Sequence, residues 1–359
     1  MSERLESYKC PSCSAPLRWD PSGKLVCDAC SNEYEPEVIE LLDSYDRQEA
    51  AFDWGDYKKK IAEGAERIEN SVVYVCRSCG ATVETDATTA ATHCPYCDNE
   101  IVITDRLEGG LKPSGVIPFK IDKNRAIESV KAHFKGKKLL PGNFKDQHTL
   151  DKIRGVYVPF WLFDAGMDGT MVMDATKVRM WSDSRYDYTE TKHFLLSVSG
   201  SMDFAGVPVD ASTKMDNDVM DALEPFDYSE MRPFDPVYLS GFLADRFDED
   251  PDVSIPRANE RMENSAESVI RSEASDFSTV TVRKSLMNLT HPTVKYALLP
   301  VYVLNVKYKE KNYRFAVNGQ TGKVVGELPI SKLKSWLFFG GWAVGLGAIA
   351  STVAYFLFR

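Results

Sequence analysis

Histidine is scarce in this 359-residue chain: five residues, at 93, 133, 148, 193 and 291, with no two at a paired ligand spacing. That excludes the H-E-x-x-H metalloprotease pattern. No G-x-x-x-x-G-K-[ST] phosphate loop or G-x-S-x-G nucleophile elbow occurs either. With no catalytic constellation in view, the expectation is that the protein is not an enzyme. A leftover cysteine is also lacking, since all eight fall into Cys-x-x-Cys pairs. The N-terminal MSERLESYKC has no apolar run, so no secretory signal is expected. Basic charge is short in the first 110 residues, where 11 Lys and Arg face 22 Asp and Glu; the other 249 residues hold 32 against 31, for a whole-chain net charge of −10. An acidic half repels phosphate backbones, which need clustered Lys and Arg, so nucleic-acid binding is not expected.

What is present begins with the cysteines. Cys10/Cys13 and Cys27/Cys30 stand 13 residues apart, and Cys76/Cys79 and Cys94/Cys97 stand 14 apart. A Cys-x-x-Cys turn aims two sulfurs at one point, and a short hairpin brings the second pair opposite to complete a tetrahedron. Zinc favours that closed four-thiolate set in structural sites, which leads to an expectation of two Zn2+ per chain. The same ligands accept iron in a rubredoxin-like site, and Cys-x-x-Cys also serves disulfides and thioredoxin-like redox motifs. Four pairs at two matched spacings fit zinc best. Ribbon knuckles often carry glycine after their second cysteine, where φ is positive. Here Ser14, Ser31, Gly80 and Asp98 occupy those places, so the first ribbon is expected to be looser or differently turned. His93, beside Cys94, reads as a surface residue.

The organisation expected is a first zinc ribbon at 1–36, a mostly helical linker at 37–70, a second ribbon at 71–110 and a soluble α+β domain at 111–330. The fold class is α+β with an antiparallel sheet. Strands are expected at Val116–Phe119 and Val156–Phe163, the latter with Pro159 at an edge, a strand start or a bulge. Asp122 should cap a helix burying Ala126, Ile127, Val130 and Phe134. Separate hairpin strands are expected at 170–173, 177–181 and 193–198, and a helix near 256–276 with Ala258, Met262, Ala266, Val269, Ile270 and Ala274 inward. Further strands follow at 277–283, 299–308, 313–317 and 323–325, the last two joined by the Asn318–Gly322 turn. Val158–Asp164 echoes Leu299–Asn305 position by position. The acidic run 245–252 reads as a solvated loop rather than a calcium site, and Tyr157, Phe160, Trp161 and Trp181 read as core.

From Ser335 to Phe358, 24 residues pass without a charge. As a helix they would span about 36 Å, enough for a ~30 Å hydrocarbon core. The expectation is a single-pass, tail-anchored membrane protein. Lys323, Lys332 and Lys334 on the near side, and the need for reduced thiolates, place the soluble body on the cytoplasmic face. Gly341-x-x-x-Gly345 offers a stripe for homo-oligomer formation within the membrane.

The stretches 88–97, Val116–Lys120, Gly155–Trp161, Pro208–Ser212, Glu224–Tyr228 and Phe315–Gly322 together resemble a bacterial family of TFIIB-type zinc-ribbon-containing membrane proteins, often mislabelled as replication-restart helicases. Members are frequently encoded near SPFH (flotillin-like) and phage-shock-type proteins. The resemblance implies a membrane-anchored scaffold or adaptor that recruits cytoplasmic protein partners, in envelope-stress or SPFH-type complexes. The alternative is a nucleic-acid-associated zinc-ribbon factor of transcription or replication. Arg77 and Asp98 depart from the family's second ribbon but leave its four sulfurs in place.

Overall fold

Turn chemistry sets the first elements. Gly23 takes φ +86°, reversing the chain between β1 (Arg18–Trp19) and β2 (Leu25–Val26), which pair antiparallel with Arg18 opposite Val26. β3 (Glu33–Tyr34) completes a three-stranded sheet. α1 (Pro36–Asp46) opens on proline, at a position whose N–H has no helical partner anyway, and buries Ile39 and Leu42. The computed structural model describes residues 8–46, 50–55, 71–86, 93–97, 99, 102–105 and 111–357. The rest of the expected helical linker, apart from 50–55, therefore lies outside the described residues. β4 (Ser71–Val75), β5 (Thr82–Asp86) and β6 (Val102–Asp105) flank the second cysteine set. β7 is only Gly115–Val116, since Pro118 has no N–H to continue the ladder. α2 (Lys123–Phe134) is as expected: the Asp122 carboxylate accepts from the Arg125 N–H at 2.8 Å, and Ala126, Ile127, Val130 and Phe134 are buried. A single turn, α3 (Gln147–Leu150), follows.

The middle of the chain runs in longer strands than expected. β8 (Arg154–Ser182) and β9 (Asp187–Asp210) pair across one turn, where the Asp183 N–H donates to the Tyr186 carbonyl at 2.9 Å. The first two of the three segments expected here merge in β8, because the residues between them, Asp174-Ala175-Thr176, carry neither proline nor glycine, and the third lies within β9. Gly166 and Gly169 do not break β8; they admit close neighbours, since a Cβ would lie 2.4 Å from Thr290 Oγ1 at the first and 2.7 Å from Met287 sulfur at the second. Then come α4 (Asn217–Leu223), β10 (Arg232–Pro233), β11 (Leu243–Asp245) and α5 (Pro251–Ser272). Along and just beyond α5, Ala258, Met262, Ala266, Ile270 and Ala274 form a buried i, i+4 line. Val269, one 100° step off it, is 56% exposed, contrary to expectation. β12 (Thr279–Tyr308) fuses two expected strands, and β13 (Lys311–Asn318) and β14 (Val324–Gly326) close around the expected turn, with Gly322 at φ +80°.

Two compact units result. One takes Met1–Gly55, Asp164–Phe204 and Asn259–Pro292; the other takes Asp56–Phe163, Ala205–Ala258 and Thr293–Arg359. Residues 111–330 therefore contribute to both. The large sheet runs β10-β7-β12-β8-β11-β5-β4-β6, with β13 on β12, β14 on β13 and β9 on β8. Its registered pairs are mainly antiparallel, with short parallel pairs at β11·β8 and β12·β7. The class is α+β, as expected.

In the second unit the two echoing segments lie on neighbouring strands and behave alike. Pro159 and Pro300 each offer a carbonyl to a returning chain, accepting from Ala211 N–H at 3.0 Å and Gly319 N–H at 2.8 Å. Phe160 and Leu162 share one apolar cluster with Val301 and Val303. Pro159 is not at a sheet edge; its missing N–H is tolerated because the registered pairs with β11 stop at Tyr157. Tyr157, Phe160 and Trp161 are core residues, whereas Trp181, in the other unit, is 45% exposed and stacks on Tyr188 at 5.4 Å.

The chain closes on α6 (Lys332–Leu357), none of which is buried. Among the described residues it is the one helix long and apolar enough to cross a membrane.

Candidate metal centres

Each cysteine pair is held by its own backbone. In the first unit the Ser14 N–H donates to the Cys10 carbonyl and the Ser31 N–H to the Cys27 carbonyl, both at 2.8 Å; in the second the Gly80 N–H does the same for Cys76 at 2.8 Å. The cysteine N–H groups of Cys10, Cys27, Cys76 and Cys94 donate forward to Ala15, Asn32, Ala81 and Asn99 carbonyls at 2.7–2.9 Å. Closing this turn requires a left-handed residue. Ser14 sits at φ +61°, Ser31 at +59° and Gly80 at +72°. The first ribbon is therefore turned like the second, contrary to expectation, and its serines carry the strain that glycine avoids; Asp98 lies outside the described residues. An L side chain in that region costs roughly 1–2 kcal/mol, partly offset by the greater chain entropy of glycine. Ser14→Gly and Ser31→Gly should each stabilise the first ribbon by about 0.5–1 kcal/mol, read as slower metal loss to a chelator.

The sulfurs converge. Cys10 and Cys30 are 3.5 Å apart and Cys13 and Cys27 3.4 Å; Cys76 and Cys97 are 3.5 Å apart and Cys79 and Cys94 3.6 Å. Within each quartet all four lie within 4.8 Å of one another, and all eight are free thiols. A tetrahedral ion with metal–sulfur bonds of about 2.3 Å sets its ligands about 3.8 Å apart, so both quartets fit a metal ion. His93 belongs to neither.

Local fields favour thiolate at the first cysteine of each ribbon. Burial works against ionising Cys10, but Tyr34 Oη and the N–H groups of Ser12 and Cys13 outweigh it and bring the thiol down to about 6. Burial likewise opposes ionising Cys76, and the Cys79 and Ser78 N–H groups bring it down to about 7. Cys94 goes the other way, its thiol pushed up by burial. A bound cation supplies the charge that makes a thiolate stable there.

The second ribbon is also wired into its unit by polar groups that sequence reading missed. Tyr96, between Cys94 and Cys97, is 3% exposed, and its hydroxyl donates to Asp245 Oδ2 at 2.6 Å. Ser212 donates to the same oxygen at 2.5 Å. Arg314 donates to the Tyr96 carbonyl at 2.9 Å, and Asn305 Nδ2 to the Pro95 carbonyl at 2.7 Å. Asp245 was expected in a solvated loop; it is 2% exposed, on β11. The one available signal was its place after two apolar residues in Leu243-Ala244-Asp245.

Burial pushes the Asp245 carboxyl up to about 7, against the hydrogen bonds from Ser212 and Tyr96. Because the folded value lies above the ordinary one, the folded state holds the extra proton. The stabilisation is complete below pH ~4 and is lost as pH rises through about 7. Between pH 5 and 8 this loss amounts to about 2–3 kcal/mol. Urea unfolding should show the native chain losing that much relative to Asp245→Asn, which does not titrate.

Over 340 residues the chain is 34% identical to the uncharacterized protein YdjG of Bacillus subtilis (strain 168), covering 94% of each chain. No family model matches it, and no solved structure does.

Proposed function

The chain belongs to the same family as YdjG of Bacillus subtilis, and we propose that it is a membrane-anchored zinc-ribbon scaffold that recruits cytoplasmic proteins. The observation that carries this reading is the combination, on one chain, of two four-thiolate quartets and an unburied apolar helix of 26 residues. Four protein ligands fill a tetrahedral zinc ion, leaving no position for water or substrate, so the centres serve structure rather than catalysis. Cys10, Cys13, Cys27 and Cys30 hold one Zn2+, and Cys76, Cys79, Cys94 and Cys97 the other. The ion would supply a positive charge at the four sulfurs and the folding energy that short ribbons lack. The soluble body faces the cytoplasm, where thiolates stay reduced, and Gly341 and Gly345, with open space around both, let two copies of α6 pair. By family resemblance the partners are SPFH (flotillin-like) or phage-shock-type proteins.

Affinity capture from detergent-solubilised membranes tests the scaffold: the full chain should retain one or a few soluble proteins at fixed stoichiometry, and a clean blank would overturn it. The competing reading, a nucleic-acid factor, is disfavoured by the acidic ribbon half. A gel shift with duplex DNA at low salt, the condition most generous to phosphate contacts, should show no sub-micromolar complex.

A further inference from the structure

Positive charge gathers in two stretches of the second unit. Between Lys131 and Lys145 there are five lysines and one histidine without a single Asp or Glu, and no acidic residue follows Glu327. These two stretches, almost two hundred residues apart, meet where α6 begins. The Ser331 N–H donates to the Leu139 carbonyl at 2.9 Å, and Lys334 Nζ to the Leu140 carbonyl at 2.7 Å. Lys138 Nζ stands 6.0 Å from the centroid of the Phe338 ring. Lys135, Lys137, Lys138, Lys332 and Lys334 are all exposed.

We infer that the loop after α2, with the first turn of α6, forms a basic surface that binds anionic lipid headgroups. The inference rests on the proposed reading that α6 spans a membrane. If it does, Phe338 lies about one helical turn below Lys334, at the depth where hydrocarbon meets headgroups. Lys138, held over that ring, is then at headgroup level, and the backbone contacts at Leu139 and Leu140 keep the whole loop there. Leu140 is buried, as are Phe134 before the loop and Phe144 after it, so the loop is pinned at both ends while its lysines project. Each lysine near an anionic surface adds to the attraction, and the effect fades within a Debye length. A phosphate-bearing lipid fits this chemistry better than an acidic protein, because the lysines are tied to a helix that enters the bilayer and need no partner to reach them.

Lysine acetylation footprinting of the full chain tests this. The protein is reconstituted into phosphatidylcholine vesicles, or into vesicles with one third phosphatidylglycerol, and labelling is read at each lysine by mass spectrometry. Lys135, Lys137 and Lys138 should label about threefold or more slowly in the phosphatidylglycerol vesicles, with the difference lost in half-molar salt. Lys177 and Lys192, in the other unit, should not change. Carbonate extraction of the same vesicles reports the span separately. Resistant protein with equal labelling in both lipids overturns the headgroup surface and leaves the span standing. Extractable protein that phosphatidylglycerol still protects removes the span and supports the surface. Protection by added polyglutamate, with none from phosphatidylglycerol, assigns the patch to an acidic protein and overturns the lipid reading.

Discussion

Replacing Cys94 with serine should lower the bound zinc from two ions per chain to one and unfold the second ribbon while the first stays loaded. Cys94 is 1% exposed, within 4.8 Å of its three partners, and set by the bond from its own N–H to Asn99. A serine hydroxyl keeps most of the volume but stays protonated near neutral pH, so the ion loses one of four anionic ligands. Structural zinc contributes about 10–16 kcal/mol to the folding of ribbon-sized units, and besides its cysteines the described residues of the second ribbon give only Ala81, Val83 and Tyr96 to the apolar cluster of its unit. Its loss should also expose Tyr96 and leave Asp245 and Arg314 without their ribbon partners, so damage spreads beyond the loop. The first quartet belongs to the other compact unit, which is why it should survive. Cys27→Ser should give the mirror result. Elemental analysis reads the stoichiometry, and limited proteolysis reads which segment has opened. Two zinc ions still bound after Cys94→Ser, or iron in the native protein, would refute the assignment.

The two cysteine quartets were legible in the sequence because metal coordination is written in spacing: two sulfurs per turn, two turns per hairpin. The helix at Lys123–Phe134 was legible for a similar reason, a capping side chain followed by a period of 3.6. What could not be read was set by partners distant in the chain. Asp245 looks like one more acid in an acidic loop until β11 places it against Tyr96, 149 residues earlier. The length of β8 was set the same way: Gly166 and Gly169 stay inside it because they admit Thr290 and Met287, partners far along the chain. Ser14 and Ser31 misled in the opposite way. A closed knuckle imposes its backbone on whatever residue is there, at a cost of a kcal/mol or two.

Ending the chain after Lys334 should convert it from a protein that carbonate cannot extract into one that leaves the membrane. α6 extends about 39 Å, against the ~30 Å of a hydrocarbon core. Its large side chains are not covered by the rest of the chain: Trp336 is 80% exposed, Phe339 64% and Phe356 75%. At about 1.5–3 kcal/mol for each such side chain removed from water, the helix as a whole would hold the chain in a bilayer by tens of kcal/mol. The cut leaves the body's own contacts intact, because Ser331 and Lys334 keep their bonds to Leu139 and Leu140. Solubility of the shortened chain is therefore a test of anchoring and not of folding, provided that it still binds two zinc ions. Orientation takes a second experiment, on the full chain. Lys332 and Lys334 flank the near end and the body carries thiolates that an oxidising exterior would convert to disulfides. Protease added to intact cells should leave the body whole, and protease added to inverted vesicles should digest it. The reverse pattern would put the zinc sites outside, where they would not stay reduced, and would overturn the cytoplasmic scaffold; a shortened chain that still resists carbonate would show that something other than α6 holds the protein in the membrane.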